Sequence, residues 1–293
     1  LASLKENEVT TGQLLAGCLC MALVAGCRPQ LLIGSFLIFP IFWNAVFVKR
    51  QLFSKDSKGK TFAAILMYAV IAACLMIYNY KRFGSVFDFG ANYNLTTNDM
   101  TKRGVELGRI PYALFTYLFQ LPAVSAAFPY LLEVMHKTTY LGKTISEGTF
   151  GGFFTVNLIP LAAFFVLRHK KWFAENARMT ESGKRMYGMA GLSLLFGIVI
   201  VIADAEAAGI LQRYYSDFGW LFYIGGIICF YAAWQHNAES IDRAKLLHIF
   251  LNISFAICMA YNFLLLFIDN SETLVSTAPV RFYSICQQLA FWR

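Results

Sequence analysis

With 293 residues, 58% hydrophobic and 14% charged, and with 28 Phe and 15 Tyr, the chain is too apolar for an ordinary soluble domain. Several of its apolar runs are long enough to cross a bilayer, so it reads as an all-α integral membrane protein. Its net charge of +8 is gathered in short basic blocks between those runs, as topology determinants are, and offers no nucleic-acid site.

Taken in chain order, Gly12 to Cys27 is a short apolar run joined to Leu31–Val48 through Arg28-Pro29-Gln30. Pro29 fixes its own φ and restricts Arg28, which predicts a tight break between two spans. Further runs follow at Thr61–Tyr80, Phe150–Leu167, Met186–Ala203, Asp217–Trp234 and Leu246–Ile268. The expectation is about seven transmembrane helices, with a long extracytoplasmic loop at 81–149 containing interfacial or re-entrant helices. Pro111 to Tyr130 is apolar enough to span, but Pro111, Pro122 and Pro129 favour an element of that broken kind, covered by protein or water. Five of the seven cysteines, Cys18, Cys20, Cys74, Cys229 and Cys258, lie in apolar runs and read as small core residues; no Cys/His metal-ligand pattern appears.

Charge sets the orientation. The connections Lys49–Lys60, Arg168–Arg185 and Gln235–Lys245 hold 13 Lys and Arg in 41 residues, against 10 in 107 for the loops on the other side. The positive-inside rule places the first set in the cytoplasm, and the long loop then faces outward. Asn94-Leu95-Thr96 has the glycosylation acceptor pattern on that outer side.

Four arginines fall on the same outer side: Arg28, Arg82, Arg109 and Arg213. A guanidinium stays charged and presents a rigid fork of donors, which suits a phosphate held at the membrane boundary; snorkelling to lipid headgroups is the alternative for each. Asp88 follows Arg82 in a turn punctuated by Gly84 and Gly90 and surrounded by Phe83, Phe87, Phe89 and Tyr93. It is read as a salt-bridge partner or as a contact to a sugar hydroxyl or metal ion, the aromatics covering a sugar face or prenyl chain. In the segment Ala203–Asp217, Arg213 and Asp217 are spaced to share a helix face and pair. Ser216 or Asp217 is also placed to cap the following helix, with Tyr214 as an amphipathic anchor. Glu133, His136 and Glu147 are weaker acid, base or metal candidates, Glu147 standing before the Gly148-Thr149-Phe150-Gly151-Gly152 entry into a span. Gly151 and Gly152 are expected at close helix packing.

The segment Asn79–Leu95, with Arg82-Phe83-Gly84-Ser85 and Phe89-Gly90, resembles one recurrent in bacterial multi-pass GT-C-type glycosyltransferases. Cys27-Arg28-Pro29, Gly151-Gly152 and Arg213-Tyr214-Tyr215-Ser216-Asp217 are similar to the later membrane half of that family. Asp88 departs from the pattern, where Glu is more frequent. The resemblance implies that residues 1–293 are a polytopic membrane domain, the C-terminal part of a longer enzyme in the bacterial cytoplasmic membrane. It implies transfer of a sugar from a polyprenyl-phosphate donor to an extracytoplasmic glycan or lipid acceptor. The catalytic base would then lie in an N-terminal membrane half, with Arg28, Arg82, Asp88, Tyr93, Arg109, Glu147, Arg213, Tyr214 and Asp217 on the substrate-binding side. A divalent cation is the one cofactor the resemblance allows, and no ligand set here assigns it. The rival readings are a transporter or flippase for a lipid-linked saccharide, and an assembly subunit whose outer loops contact a partner.

Overall fold

The first helix, α1 (Thr11–Cys27), opens on a reciprocal cap: Thr10 Oγ1 accepts from the Gln13 backbone N–H at 3.2 Å, and Gln13 Oε1 accepts from the Thr10 N–H at 3.0 Å. It stops at Arg28, whose extended backbone leads into Pro29 at the start of a 3-10 stretch, Pro29–Leu37. The chain then doubles back along one neighbour, α2 (Lys58–Phe83). A Cβ on Gly26 would lie 3.2 Å from Leu75, and Ser35 accepts the Tyr68 hydroxyl at 2.9 Å. The computed structural model describes residues 10–50, 53–90, 93, 104–126, 128–140, 143–174, 180–268 and 277–289, without the side chains of 45 and 137–147.

The core is built on α5 (Glu181–Ala207) and α6 (Tyr215–His236), with α4 (Leu158–Arg168) against α6. Small residues set the α5–α6 spacing. A Cβ on Gly197 would meet the Phe222 ring at 2.7 Å, and one on Gly225 would meet Leu194 at 2.8 Å. Phe153 and Phe154 add edge-on contacts to Phe218 and Phe222, with centroids 5.6 and 4.8 Å apart. The helix α7 (Ile241–Leu265) and α2 show most of their apolar surface, and α8 (Pro279–Leu289) is a short helix near the end of the chain.

Among the described residues, four helices are long and apolar enough to cross a membrane, Lys58–Phe83, Glu181–Ala207, Gln212–His236 and Ile241–Leu265, as a multi-pass membrane protein requires. The expected count of about seven is therefore corrected. Helix α1, of 17 residues, rises roughly 26 Å, short of a bilayer core of about 30 Å. The run Leu31–Val48 divides into the 3-10 stretch, a four-residue helix Ile38–Ile41 containing Pro40, and a π turn Asn44–Val48. The run from Phe150 is interrupted at Asn157, whose side-chain amide donates to the Phe153 carbonyl at 2.8 Å, so Phe153–Val156 and α4 are separate helices.

The 81–149 segment also differs from expectation. In place of interfacial or re-entrant helices, its described residues form a short helix α3 (Arg109–Leu114), a π turn Phe115–Phe119 and two antiparallel ladders. Strands β1 (Ala123–Val124) and β2 (Leu131–Leu132) make the smaller one. Strands β3 (Val134–Tyr140) and β4 (Lys143–Thr149) make the larger, with His136 opposite Glu147. The fold is thus helical with two hairpins rather than all-α. Pro122 and Pro129 stop helix propagation, and Thr138, Thr139, Thr144 and Ile145 are β-branched strand formers. The π turn is buried at Thr116, Tyr117 and Leu118, and the Tyr117 hydroxyl donates to the Gly209 carbonyl at 2.7 Å while accepting from the Leu211 N–H at 3.1 Å. That pair of bonds fixes the segment over the α5–α6 connection.

Candidate functional site

Charged side chains from distant parts of the chain meet around the α5–α6 connection. A 3-10 turn, Gln212–Tyr214, runs directly into α6. Tyr214 is buried, and two guanidiniums lie on its ring: Arg28 at 4.8 Å and Arg213 at 5.1 Å from the centroid. Arg28 Nη1 is also 3.0 Å from Asp217 Oδ2 in the first turn of α6. A carboxylate there is favoured by the positive end of the helix dipole.

Arg213 does not make the ion pair with Asp217 that helical spacing suggested. The 3-10 turn replaces the helix that would have aligned them, so Arg213 donates from Nη2 to the Tyr214 hydroxyl at 3.1 Å and its guanidinium remains exposed. Asp217 does not cap α6 either. The helix begins at Tyr215 without a side-chain cap, and the Ser216 hydroxyl donates to the Arg213 carbonyl at 2.9 Å.

Beneath this pair lies Asp204 in the last turns of α5, only 1% exposed, its Oδ1 accepting from the Gln30 amide at 2.9 Å. Gln30 belongs to the same tight break as Arg28. The break therefore sends two polar side chains to two acids on different helices. Neither Gln30 nor Asp204 was singled out from sequence, although an acid at the end of an apolar run needs a buried partner and so signals one.

The remaining site residues are dispersed. Arg109 is buried, with Nε 3.5 Å from Glu106 Oε2 and Nη2 3.7 Å from Glu206 Oε2, and Glu206 also accepts the Glu106 backbone N–H at 2.8 Å. It clamps the 104–114 segment to α5. Arg82, in the last turn of α2, turns back on its own helix: Nη1 donates to the Tyr78 hydroxyl at 2.5 Å, and the guanidinium lies 5.1 Å from the Phe83 ring. Asp88 accepts the Gly90 N–H at 2.8 Å, closing a turn, and Tyr93 stacks on Phe83 with centroids 5.1 Å apart. A Cβ on Gly90, at φ +83°, would meet Phe83 at 2.7 Å. Arg82, Asp88 and Tyr93 thus form one local collar at the end of α2, separate from the contacts around Tyr214. The side chain of Glu147 and the pattern Asn94-Leu95-Thr96 lie outside the described residues.

No family model, curated protein or solved structure matches this chain. Four spanning helices among the described residues do not fit the GT-C topology that the resemblance implied, and that expectation is corrected on this ground. Among the described residues, no group of three or more His, Cys, Asp or Glu is placed to hold a metal ion. His136 is bracketed by hydroxyls, with Nδ1 2.9 Å from Tyr112 Oη and Nε2 2.8 Å from Thr149 Oγ1, and burial pushes its imidazole below the usual histidine range. It ties α3 to the β3–β4 hairpin. Gly151 and Gly152 serve close approach to the end of the π turn and the residues after it: a Cβ on Gly151 would meet Pro122 at 2.7 Å, one on Gly152 would lie 2.6 Å from the backbone of Leu118 and of Gln120, and the Gly152 N–H donates to the Gln120 carbonyl at 2.6 Å.

Proposed function

We propose that this multi-pass membrane protein binds the phosphate of an anionic membrane lipid where Arg28 and Arg213 meet on Tyr214. The supporting observation is that convergence from two distant parts of the sequence. Asp217 and Asp204 lie beneath Arg28, whereas Arg213 presents its guanidinium outward with one bond to Tyr214. A planar fork with remaining donors is matched to phosphate oxygens, and the ring beneath it holds the fork in place. By the charge bias of the connections this end faces away from the cytoplasm, the orientation that a lipid-linked saccharide at the outer leaflet of a bacterial membrane requires.

Two processes suit such a site. In sugar transfer from a lipid phosphate, negative charge grows on the leaving group and an arginine stabilises it, the acceptor's base coming from another segment. In translocation the same arginines guide the intact anion. Binding of a polyprenyl phosphate to the protein in nanodiscs tests the site itself. Replacing Arg213 by Gln is expected to weaken it about 10-fold or more, the usual worth of a charged hydrogen bond. Undiminished binding in a folded Arg213→Gln protein would sink the reading. With a glycosylated lipid phosphate in sealed vesicles, consumption of the donor marks transfer, and movement across the bilayer with the sugar bond intact marks translocation.

A further inference from the structure

At the opposite end of α5 and α6, a polar cavity and an apolar groove meet at one tryptophan. The cavity, of about 500 Å³, lies among the 3-10 turn Lys170–Phe173, the start of α5 and the end of α6, and its polar wall is Thr180, Ser182, Gln235, His236 and Glu239. The groove, of about 220 Å³, runs between α4, α6 and α7, along Ala162, Val166, Phe230, Leu247 and Phe250. Trp172 lines both. Its ring is held in place by near-parallel stacking on His169 and His236, at 5.2 and 5.9 Å.

We propose that this pair of spaces binds one anionic phospholipid, with its headgroup in the cavity, one acyl chain in the groove and Trp172 at the junction. An amphipathic molecule is the class that satisfies both walls at once: the groove offers hydrocarbon only hydrocarbon, and the cavity offers hydroxyl, amide and carboxylate groups. Tryptophan is suited to that boundary, having an apolar body and a single N–H donor. Charge selects the headgroup. Arg168, Lys170 and Lys171 are exposed in the residues that lead into Trp172 and attract an anionic head, and Lys170 is held 5.6 Å over the Tyr187 ring. Glu239 opposes a phosphate on its own side, so the phosphate lies toward Trp172 and Lys170. Glu239, Ser182 and Gln235 then face the hydroxyls of a glycerol-type head.

The test is retention of lipid by the purified full chain, equilibrated with vesicles of phosphatidylglycerol or phosphatidylcholine and read by native mass spectrometry. One phosphatidylglycerol is expected to remain, about 10-fold preferred over phosphatidylcholine, a difference of about 1.4 kcal/mol. Ala162→Phe, which puts a ring into the groove, is expected to reduce retention about 10-fold, and Lys170→Gln with Lys171→Gln to reduce the preference for the anionic lipid several-fold. Equal retention of the two lipids by the wild-type chain, or unchanged retention and preference in both variants, overturns the proposal. If Ala162→Phe does not fold, the lysine pair alone decides it. Loss of phosphatidylglycerol with polyprenyl phosphate still bound at Arg213 separates this site from the one at the other end.

Discussion

Arg28 and Asp217 illustrate how little of an ion pair is set by spacing along one helix. The carboxylate is nearly buried, while about a third of the arginine side chain is exposed, so solvent screens part of the attraction. A double-mutant cycle of Arg28→Met and Asp217→Asn, read by thermal unfolding in detergent, is expected to show a coupling of about 1 kcal/mol. A coupling near zero would mean that Arg28 is held by the Tyr214 ring alone. His136 gives a residue-scale prediction in pH. Its folded-state pKa is lowered by burial, so below its ordinary value of about 6.5 the unfolded chain binds a proton that the folded one resists. The histidine's contribution is fully present above that value and is lost as pH falls through the window down to the folded pKa. The stability difference between wild type and His136→Gln should therefore shrink on acidification from pH 7.5 to 5.5, by no more than about 1.4 kcal/mol per pH unit for one proton. A difference that is constant across this range would assign the loss to the hydrogen bonds alone.

At the scale of elements, close approach separates glycines that look alike in sequence. Gly84 ends α2 at φ +73° with open space where a Cβ would point. Gly152 has ordinary extended backbone but no space, because the Leu118–Gln120 backbone occupies it. Gly84→Ala is expected to cost about 1 kcal/mol from backbone strain. Gly152→Ala is expected to cost about 2 to 3 kcal/mol, because the π turn must shift with the Tyr117 bonds it carries. Thermal melts of the two variants check the order, and equal costs would contradict it. The α2, α5, α6 and α7 helices were legible as long apolar runs, and Pro29 marked a real break. What stayed hidden was local interruption. Asn157 bonding back to Phe153 divides a run that hydropathy reads as continuous, and the β3–β4 hairpin depends on pairing between two segments whose partner neither segment specifies by itself. The site was half legible for the same reason. Arg28, Arg213, Tyr214 and Asp217 could be placed on one side by charge and span order, but Gln30–Asp204 is a long-range pair with no motif, and Arg82 was drawn to aromatics on its own helix.

For the whole molecule, the packing makes a directional claim. Gly26 beside Leu75 and Ser35 beside Tyr68 place the Arg28 break toward the Phe83 end of α2. Gln30 bonded to Asp204, and Arg28 to Asp217, place the same break at the end of α5 and the start of α6. The ends of α2 and α5 and the start of α6 therefore lie on one side. The start of α5 and the end of α6 lie on the other, where Trp172 stacks on His236 and a Cβ on Gly183 would abut Phe173. Under the orientation proposed above, the excess of Lys and Arg in 49–60, 168–185 and 235–245 would place that second side in the cytoplasm. Single cysteines introduced at Ser57, Ser85 and Glu239, in a background without the native seven, test this with a membrane-impermeant thiol reagent on intact cells. Ser85→Cys is expected to react from outside, and Ser57→Cys and Glu239→Cys only after the membrane is opened. Reaction of Ser57→Cys and Ser85→Cys from the same side would mean that α2 lies along the membrane rather than through it, and would remove the shared side on which Arg28 and Arg213 are proposed to meet a lipid phosphate.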